Sequence, residues 1–409
     1  METELDRGAM DRDWRRYSLA TRAVRAGQYQ DVSDQHSEPL VLTSSYVFSD
    51  AEDAAEKFAG RRPGNVYVRF TNPTVRAFEQ RVAAMEGTGD AVATSSGMAC
   101  YMTVALALLH PGDHVILAEG MFGTTSRLFN TYLRNFGVAA TFINVNAGRD
   151  EWISLVQSNT KLIVVESPTN PMMQVADIRD LSSIARENGI LLVVDNTLCT
   201  PVYQRPHELG ANLIVHSAGK YIDGQGRCGG GIIAGREGLV AQLRDVLRTV
   251  GPSLSPYNAW LFLKSLETLP IRMQEHTRNA STLAGWLMRH PAVDKIYYTG
   301  VRDHPQSELI ASQQSGHGGL LSFRIRGGRR EAWRFLDALK LISNTTNIRD
   351  TKTMITHPAT TTHGRLSAAE RGSAGVSDNL LRISIGFEDP DDLVLDLEQA
   401  FQAAMKRSA

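Results

Sequence analysis

Several short segments of the chain are apolar at nearly every position, and this feature limits the possible folds more than any other. Strands of this kind are buried on both faces, whereas the strands of an open antiparallel sheet alternate apolar and polar residues. Segments with helical spacing lie between them, and Gly189 ends one of these at 177–188. The pattern predicts a mainly parallel sheet with helices on both faces, which is a three-layer α/β/α domain. The apolar segments are 114–118, 161–166, 190–194 and 213–216.

The chain has 409 residues, which suits more than one hydrophobic core. Residues 1–66 are rich in charges and turn residues, and we expect them to form an N-terminal arm that reaches a neighbouring subunit. Residues 67–258 hold the apolar strands and form the predicted large domain. Residues 259–409 begin with a long helical pattern and continue with alternating strand and helix patterns, which predicts a smaller α+β domain.

Composition excludes several classes of function. There are 43 basic and 44 acidic residues, so neither nucleic acid nor an anionic membrane is an expected partner. The three cysteines include no Cys-x-x-Cys pair, and we expect no disulfide framework and no metal site. No run of 18 apolar residues is present, and the polar N-terminus lacks the apolar stretch of a signal peptide. A cytoplasmic location is the expectation.

An aspartate follows one of the apolar segments directly. Asp195 stands in the sequence Val193-Val194-Asp195-Asn196-Thr197. A single aspartate at this place most often caps the following turn. The alternative is a carboxylate that pairs with a cationic ring nitrogen, which keeps a pyridinium protonated and able to accept electrons.

A lysine lies just beyond the next apolar segment. Lys220 follows Ser217 in the sequence His216-Ser217-Ala218-Gly219-Lys220. The simpler interpretation is a surface lysine without a chemical role. The alternative is a desolvated lysine, which has a lowered pKa and attacks carbonyl groups. Ser217 offers a hydroxyl for a phosphate. A further anion site is predicted at Gly97 and Met98, where small residues precede an apolar helix.

The chain resembles the Cys/Met-metabolism family of fold-type I enzymes that depend on pyridoxal 5'-phosphate (PLP). The resemblance runs from about residue 21 to about residue 400. Within the family it is most similar to the O-succinylhomoserine sulfhydrylases, through Asp223-Gly224-Gln225-Gly226-Arg227 and His363-Gly364-Arg365-Leu366-Ser367. The family motifs are Asn65-Val66-Tyr67-Val68-Arg69-Phe70-Thr71-Asn72-Pro73-Thr74, Ser96-Gly97-Met98, Glu166-Ser167-Pro168-Thr169-Asn170-Pro171, Asp195-Asn196-Thr197, Lys220-Tyr221-Ile222-Asp223-Gly224 and His357-Pro358-Ala359-Thr360-Thr361-Thr362-His363.

The resemblance implies a role for each matching residue. Lys220 would carry PLP as a Schiff base, and Asp195 would hold the pyridine nitrogen protonated. Tyr67 and Arg69 would reach the phosphate of a neighbouring subunit, which implies a homotetramer built from two active dimers. Arg382 would bind the substrate α-carboxylate. The remaining implied contacts to cofactor or substrate are Gly97, Met98, Phe122, Asn170, Ser217 and Asn347.

Five positions depart from the family pattern. Phe122 stands where many members have a tyrosine that stacks on PLP, and Thr124 stands where methionine γ-lyases have a cysteine. Gly219 replaces a usual threonine, which removes one expected phosphate hydroxyl. The acidic Glu119 lies near a place where a basic residue is expected, and Arg349 stands where glycine is usual.

The resemblance implies a PLP-dependent enzyme that acts at Cγ of a homoserine-derived amino acid. The first expectation is γ-replacement of the O-succinylhomoserine sulfhydrylase kind, which forms homocysteine. The second is a γ-lyase, and the acidic Glu119 would suit a basic γ-group such as that of canavanine. A third reading, which Gly219 keeps open, is a non-catalytic PLP-binding homologue.

Overall fold

The computed structural model describes residues 13–29 and 34–405. Residues 1–12 and 30–33 of the predicted arm lie outside the described residues, as do residues 406–409. The chain forms two compact units. The first comprises Met1–Leu109, Asn212–Asp223 and Arg227–Pro270, and the second comprises His110–Ala211, Gly224–Gly226 and Ile271–Ala409. The domain boundaries expected at residues 66 and 258 stay a prediction.

The larger sheet has seven strands in the order β1-β7-β6-β5-β4-β2-β3. Strands β3, β2, β4 and β5 pair in parallel, with Ile116 opposite Ile163 and Val164 opposite Val193. Strand β7 runs antiparallel to β1 and to β6. The strands are β1 (Asp90–Thr94), β2 (His114–Ala118), β3 (Ala139–Ile143), β4 (Thr160–Glu166), β5 (Leu191–Asp195), β6 (Leu213–Ser217) and β7 (Gly231–Gly235).

The apolar segments form strands where the sequence predicts them. The side chains of Val115, Ile163, Val193 and Ile214 are 0% exposed, as expected for strands covered on both faces. The predicted α/β class with a mostly parallel sheet is confirmed. The antiparallel strand β7 was not predicted. It follows two glycines and begins with a third, Gly231, on which a Cβ atom would overlap the carbonyl oxygen of Ser96.

The helices begin and end at residues that suit these positions. Asn72 caps α3 by accepting hydrogen bonds from two backbone N–H groups, Pro73 is its first residue, and Gly87 ends it with a φ of 75°. The α-helices are α1 (Leu19–Arg25), α2 (Ala51–Phe58), α3 (Pro73–Glu86), α4 (Gly97–Leu108), α5 (Gly123–Arg127), α6 (Arg149–Ser154), α7 (Ile178–Glu187), α8 (Thr200–Tyr203), α9 (Glu237–Val250), α10 (Pro256–Leu266), α11 (Leu269–Leu287), α12 (Ser307–Gln313), α13 (Arg329–Ala338), α14 (Ala368–Ser373) and α15 (Pro390–Met405).

The smaller sheet lies in the second unit and has the order β10-β11-β12-β9-β8. Its core joins Phe323 and Leu381 of the sheet to Phe335 of α13 and Phe401 of α15, all nearly or fully buried. Among the described residues, none of the helices combines the length and the apolar character needed to cross a bilayer. The strands are β8 (Val293–Tyr297), β9 (Leu320–Ile325), β10 (Ser343–Asn344), β11 (Met354–Thr356) and β12 (Leu380–Ser384).

Candidate active site

In the first unit, the end of β6 lies against the start of α4. The Ser96 hydroxyl caps α4 by accepting a hydrogen bond of 3.1 Å from the backbone N–H of Ala99. A Cβ atom on Gly97 would lie 2.8 Å from Cβ and 3.0 Å from Oγ of Ser217. Glycine is therefore needed for Ser217 to approach the first turn of this 12-residue helix. The N-terminal N–H groups of a helix and a nearby hydroxyl suit a phosphate, as predicted for Gly97, Met98 and Ser217.

Lys220 follows β6 in a tight turn and is partly buried. Its backbone N–H donates to the carbonyl of Ser217 at 3.1 Å, and the N–H of Asp223 donates to Ala218 at 2.9 Å. The fully buried Asp223 carboxylate accepts from the backbone N–H and the side-chain Nε of Arg227, at 2.7 and 2.9 Å. The lysine is therefore held at a fixed distance from the serine whose hydroxyl is the predicted phosphate ligand.

The structure gives a physical reason for Gly219. A Cβ atom at this position would lie 2.7 Å from the carbonyl oxygen of Cys228 and 3.4 Å from Cα of Gly229. Both atoms belong to the backbone, so no side-chain rotation can relieve the first contact. The threonine usual in the family therefore does not fit the present conformation of this loop.

Tyr67 and Arg69 also belong to the first unit. Tyr67 is 42% exposed. The guanidinium of Arg69 lies 4.8 Å from the ring centroid of Phe70 and donates to the carbonyl of Arg248. An exposed tyrosine next to an arginine is the arrangement expected for residues that contact another subunit, and that role stays a prediction.

In the second unit, Asp195 ends β5 and lies opposite Glu166 of β4 in the sheet register. One oxygen of the Asp195 carboxylate accepts a hydrogen bond of 2.9 Å from the backbone N–H of Thr197. Asp195 therefore caps the following turn, as expected for a single aspartate after a strand. A carboxylate that accepts this hydrogen bond can also pair with a cationic ring nitrogen, so the two interpretations are compatible.

Glu166 also belongs to this region, although its place in the sequence predicted no role for it. Its side chain is 7% exposed, and it accepts a hydrogen bond of 2.9 Å from the backbone N–H of Phe122. Burial, followed by the negative charge of Asp195, raises the pKa of Glu166 to about 8. Glu166 thus positions the loop that presents the half-exposed ring of Phe122. In the sequence, the one sign of a role for Glu166 is that an acid ends an apolar strand.

Arg382 and Asn170 come together in the second unit, as the resemblance implies. Arg382 is 3% exposed on β12, and one Nη donates to Oδ1 of Asn170 at 3.2 Å. The other Nη donates to the carbonyl of Thr346 at 2.7 Å, beside the half-buried Asn347. Nε of Arg382 has no hydrogen-bond partner among the described residues. A buried guanidinium with an N–H group that makes no hydrogen bond suits a carboxylate ligand.

Taken separately, each unit has residues that suit a part of PLP. The first unit offers a lysine amine, a hydroxyl and a helix N-terminus for an aldehyde and a phosphate. The second unit offers a carboxylate at a strand end, an aromatic ring, an amide and a buried arginine. Among the described residues there is no group of three or more His, Cys, Asp or Glu side chains placed to hold a metal ion.

Comparison with known proteins decides the family. Residues 20–402 match the model of the Cys/Met metabolism PLP-dependent enzymes. The chain belongs to this family. The predicted family, its cofactor PLP and the class of γ-replacement or γ-elimination enzymes are thereby confirmed.

The relatives differ in how similar their sequences are to this chain. It is 50% identical to the O-succinylhomoserine sulfhydrylase of Pseudomonas aeruginosa, over 98% of this chain and all of that protein. It is 38% identical to the L-methionine gamma-lyase of Pseudomonas putida, over 94% of this chain and 98% of that protein. A crystal structure from Campylobacter jejuni, assigned as O-acetylhomoserine (thiol)-lyase and containing a pyridoxyl-lysine phosphate, superposes with a TM-score of 0.91 at 32% identity, over 94% of this chain and all of that one.

Proposed function

We propose that the enzyme catalyses γ-replacement on O-succinyl-L-homoserine, with sulfide as the nucleophile. The Cγ–O bond breaks, succinate leaves, and a Cγ–S bond forms to give homocysteine. The observation that supports this most strongly is the 50% identity, over the full length, with an O-succinylhomoserine sulfhydrylase. The methionine gamma-lyases are more distant, at 34–38% identity.

Two residues supply the central chemistry in this proposal. PLP, when bound, withdraws electrons from the carbons of the amino acid. Lys220 would hold the cofactor covalently, and its amine would take protons from Cα and Cβ of the substrate and return them after the sulfide has added at Cγ. The Asp195 carboxylate would pair with the pyridine nitrogen and favour its protonated form. The backbone N–H of Thr197 holds that carboxylate in place.

The other residues bind and orient. Arg382 would bind the α-carboxylate, and it donates a hydrogen bond to Asn170, whose amide would contact the cofactor ring hydroxyl. Phe122 would stack on the ring, and the hydrogen bond from its backbone N–H to Glu166 holds its backbone in place. Gly97, Met98 and Ser217 would bind the phosphate, and Asn347 would contact the substrate.

A second candidate is γ-elimination from an amino acid with a basic γ-group, such as canavanine. The observation in its favour is Glu119, a partly buried acid directly after β2. An acid at this position would attract a cationic leaving group and repel a succinyl carboxylate. Thr124, which stands where methionine γ-lyases have a cysteine, argues against methionine as the substrate.

Product analysis separates the two candidates. The purified enzyme is incubated with O-succinyl-L-homoserine or with canavanine, each with and without sulfide. Homocysteine that forms from the succinyl ester only when sulfide is present supports replacement. Release of the basic group from canavanine without sulfide, with no homocysteine from the ester, contradicts replacement and supports elimination. Lys220→Ala must abolish either turnover, and a non-catalytic homologue would show none to abolish.

The proposal includes a cytoplasmic homotetramer in which Tyr67 and Arg69 reach a neighbouring subunit's phosphate. The exposure of Tyr67 supports it. Two inactive variants, Arg69→Ala and Lys220→Ala, are unfolded together and refolded to allow mixed dimers. If active sites are shared between subunits, the mixture regains activity that neither variant has alone. A mixture that stays inactive, although the hybrids form, contradicts shared sites.

A further inference from the structure

The two faces of the smaller sheet differ in what they carry. On one face, Phe323 of β9 and Leu381 of β12 belong to the apolar core that includes residues of α13 and α15. Successive side chains of a strand point to opposite faces, so Ser322 and Arg382 share the other face. These two residues lie directly opposite one another in the antiparallel register of β9 and β12. Side chains in this relation have their Cβ atoms about 5 Å apart.

The loop that follows β4 lies against this second face. Met173 of the loop belongs to one buried cluster with Leu320 of β9. The hydroxyl of Ser322 donates a hydrogen bond of 2.8 Å to the carbonyl of Pro171 in the same loop. Ser322 is 0% exposed, so this hydrogen bond is protected from water. The loop is therefore attached to β9 both by apolar packing and by one buried hydrogen bond.

Asn170, directly before Pro171, is bound to the neighbouring strand. One Nη of Arg382 donates to Oδ1 of Asn170 at 3.2 Å. A guanidinium group only donates, so the atom that faces it is the amide oxygen, and the NH2 group is the donor for the cofactor ring hydroxyl. A lysine at position 382, which also only donates, would impose the same orientation.

These contacts form a closed ring. Two hydrogen bonds, one peptide bond and one cross-strand pair join Ser322, Pro171, Asn170 and Arg382. Ser322 holds the backbone of the loop, and Arg382 holds the orientation of the amide. The loop also contains Met173 at a φ of 57°, which a residue other than glycine keeps only where its surroundings hold it. Loss of one member of the ring should therefore move the amide.

We infer that Ser322 is a positioning residue of the active site. It acts through Asn170 and Arg382 rather than on the reacting atoms. Its hydroxyl places the loop so that the amide of Asn170 reaches the ring hydroxyl, while Arg382 keeps the arrangement that binds the α-carboxylate. The inference rests on the proposed function and deepens it, because one serine then sets a cofactor contact and a substrate contact together.

The first measurement is the pH dependence of cofactor absorbance in the holoenzyme without substrate. A donor to the ring hydroxyl oxygen favours the deprotonated form of the cofactor, so a misplaced amide raises the pH midpoint of the absorbance change. We expect Ser322→Ala to raise this midpoint by about 0.5–1 pH unit, which corresponds to one net hydrogen bond. Ser322→Thr, which keeps the hydroxyl, should restore most of the wild-type value.

The second measurement is the affinity for L-norleucine, which has no leaving group at Cγ. Its dissociation constant is obtained from the change in cofactor absorbance on binding. Ser322→Ala should weaken binding by about 3- to 10-fold, because Arg382 loses the support of a fixed Asn170. Ser322→Cys, which is close to serine in size but a weak donor, should resemble Ser322→Ala in both measurements.

Tyr298 provides a matched control in the same unit. Its hydroxyl donates to the carbonyl of Gly318 at 2.9 Å, and the residue is 0% exposed within the apolar core. Tyr298→Phe therefore removes a buried hydroxyl that donates to a backbone carbonyl, as Ser322→Ala does. Both variants should lower the thermal midpoint. Only Ser322→Ala should change the pH midpoint and the affinity for L-norleucine.

Each outcome decides the question. If Ser322→Ala lowers only the thermal midpoint, or if Tyr298→Phe changes the other two values equally, the hydroxyl has a structural role alone and the inference is overturned. If Ser322→Ala does not fold, Ser322→Cys gives the same comparison. Because L-norleucine is not turned over, the expected changes in an enzyme that makes no homocysteine would refute the proposed function alone. Homocysteine formation, with wild-type values in the Ser322 variants, would refute the inference alone.

Discussion

Replacing Gly219 with the threonine that is usual in the family should lower the stability of the cofactor-free protein. A Cβ atom there would lie 2.7 Å from the carbonyl oxygen of Cys228, a distance that requires the backbone to shift. Overpacking of this kind costs about 1–3 kcal/mol. A hydroxyl that reaches a phosphate would contribute about 1.5–3 kcal/mol to cofactor affinity. The two effects nearly cancel in the holoenzyme, whereas the cofactor-free protein shows only the cost.

The assay separates these two effects with paired variants. Gly219→Ala adds only the Cβ atom, and Gly219→Thr adds the hydroxyl as well. Urea unfolding midpoints of the cofactor-free protein report the strain, and the dissociation constant of PLP reports the hydroxyl. Midpoints are compared because a chain of two units need not unfold in one step.

A control glycine sets the scale. Gly238 lies in α9, and a Cβ atom there would have no neighbour within 4 Å. Gly238→Ala should therefore stabilise the protein by about 0.5–1 kcal/mol. Both Gly219 variants should lower the unfolding midpoint. If Gly219→Thr leaves the midpoint unchanged and tightens PLP binding tenfold or more, the steric reasoning is refuted.

Two further predictions concern the buried side chains of His276 and Arg382. Burial lowers the pKa of His276 to about 4, and its Nδ1 lies 2.7 Å from the carbonyl of Ile385. The folded state then binds fewer protons than the unfolded state between pH 6.5 and 4, so stability falls as the pH falls through this window. His276→Asn, which can keep the donor, should lose less of its thermal midpoint between pH 6.5 and 4.5, and an equal loss would count against the assignment. Arg382→Lys should raise the KM for the amino acid by about 10-fold or more, since lysine cannot form the forked pair, while cofactor absorbance stays unchanged. An unchanged KM would show that another group binds the α-carboxylate.

The sequence predicted the parallel strands well because burial on both faces leaves a clear mark in it. Strands β4 and β5 were found within one or two residues of their observed ends. Strand β7 was not predicted because glycines are typical of loops. Here Gly231 is required in a strand, since it lies close to the backbone of Ser96. The long helical pattern after residue 259 divides into α10 and α11, and Pro270 is the second residue of α11, where proline is tolerated.

The candidate site was predictable as a set of residues but not as a set of contacts. The family resemblance implied roles for Asn170 and Arg382. The hydrogen bond between them could not be predicted, because the two residues are 212 apart in the chain. The role of Glu166 depends on the backbone of Phe122, which no local pattern reveals. Gly219 and Arg349 were visible only as departures. The physical reason for Gly219, a nearby backbone carbonyl oxygen, comes from tertiary packing.

The most direct test of the account is to identify the side chain that carries the cofactor. The enzyme as purified is treated with sodium borohydride, digested and analysed by mass spectrometry. The account predicts a phosphopyridoxyl group on Lys220 alone, and no such group in Lys220→Arg. A protein without this label, or a label on another lysine such as Lys264, would contradict the assignment of Lys220.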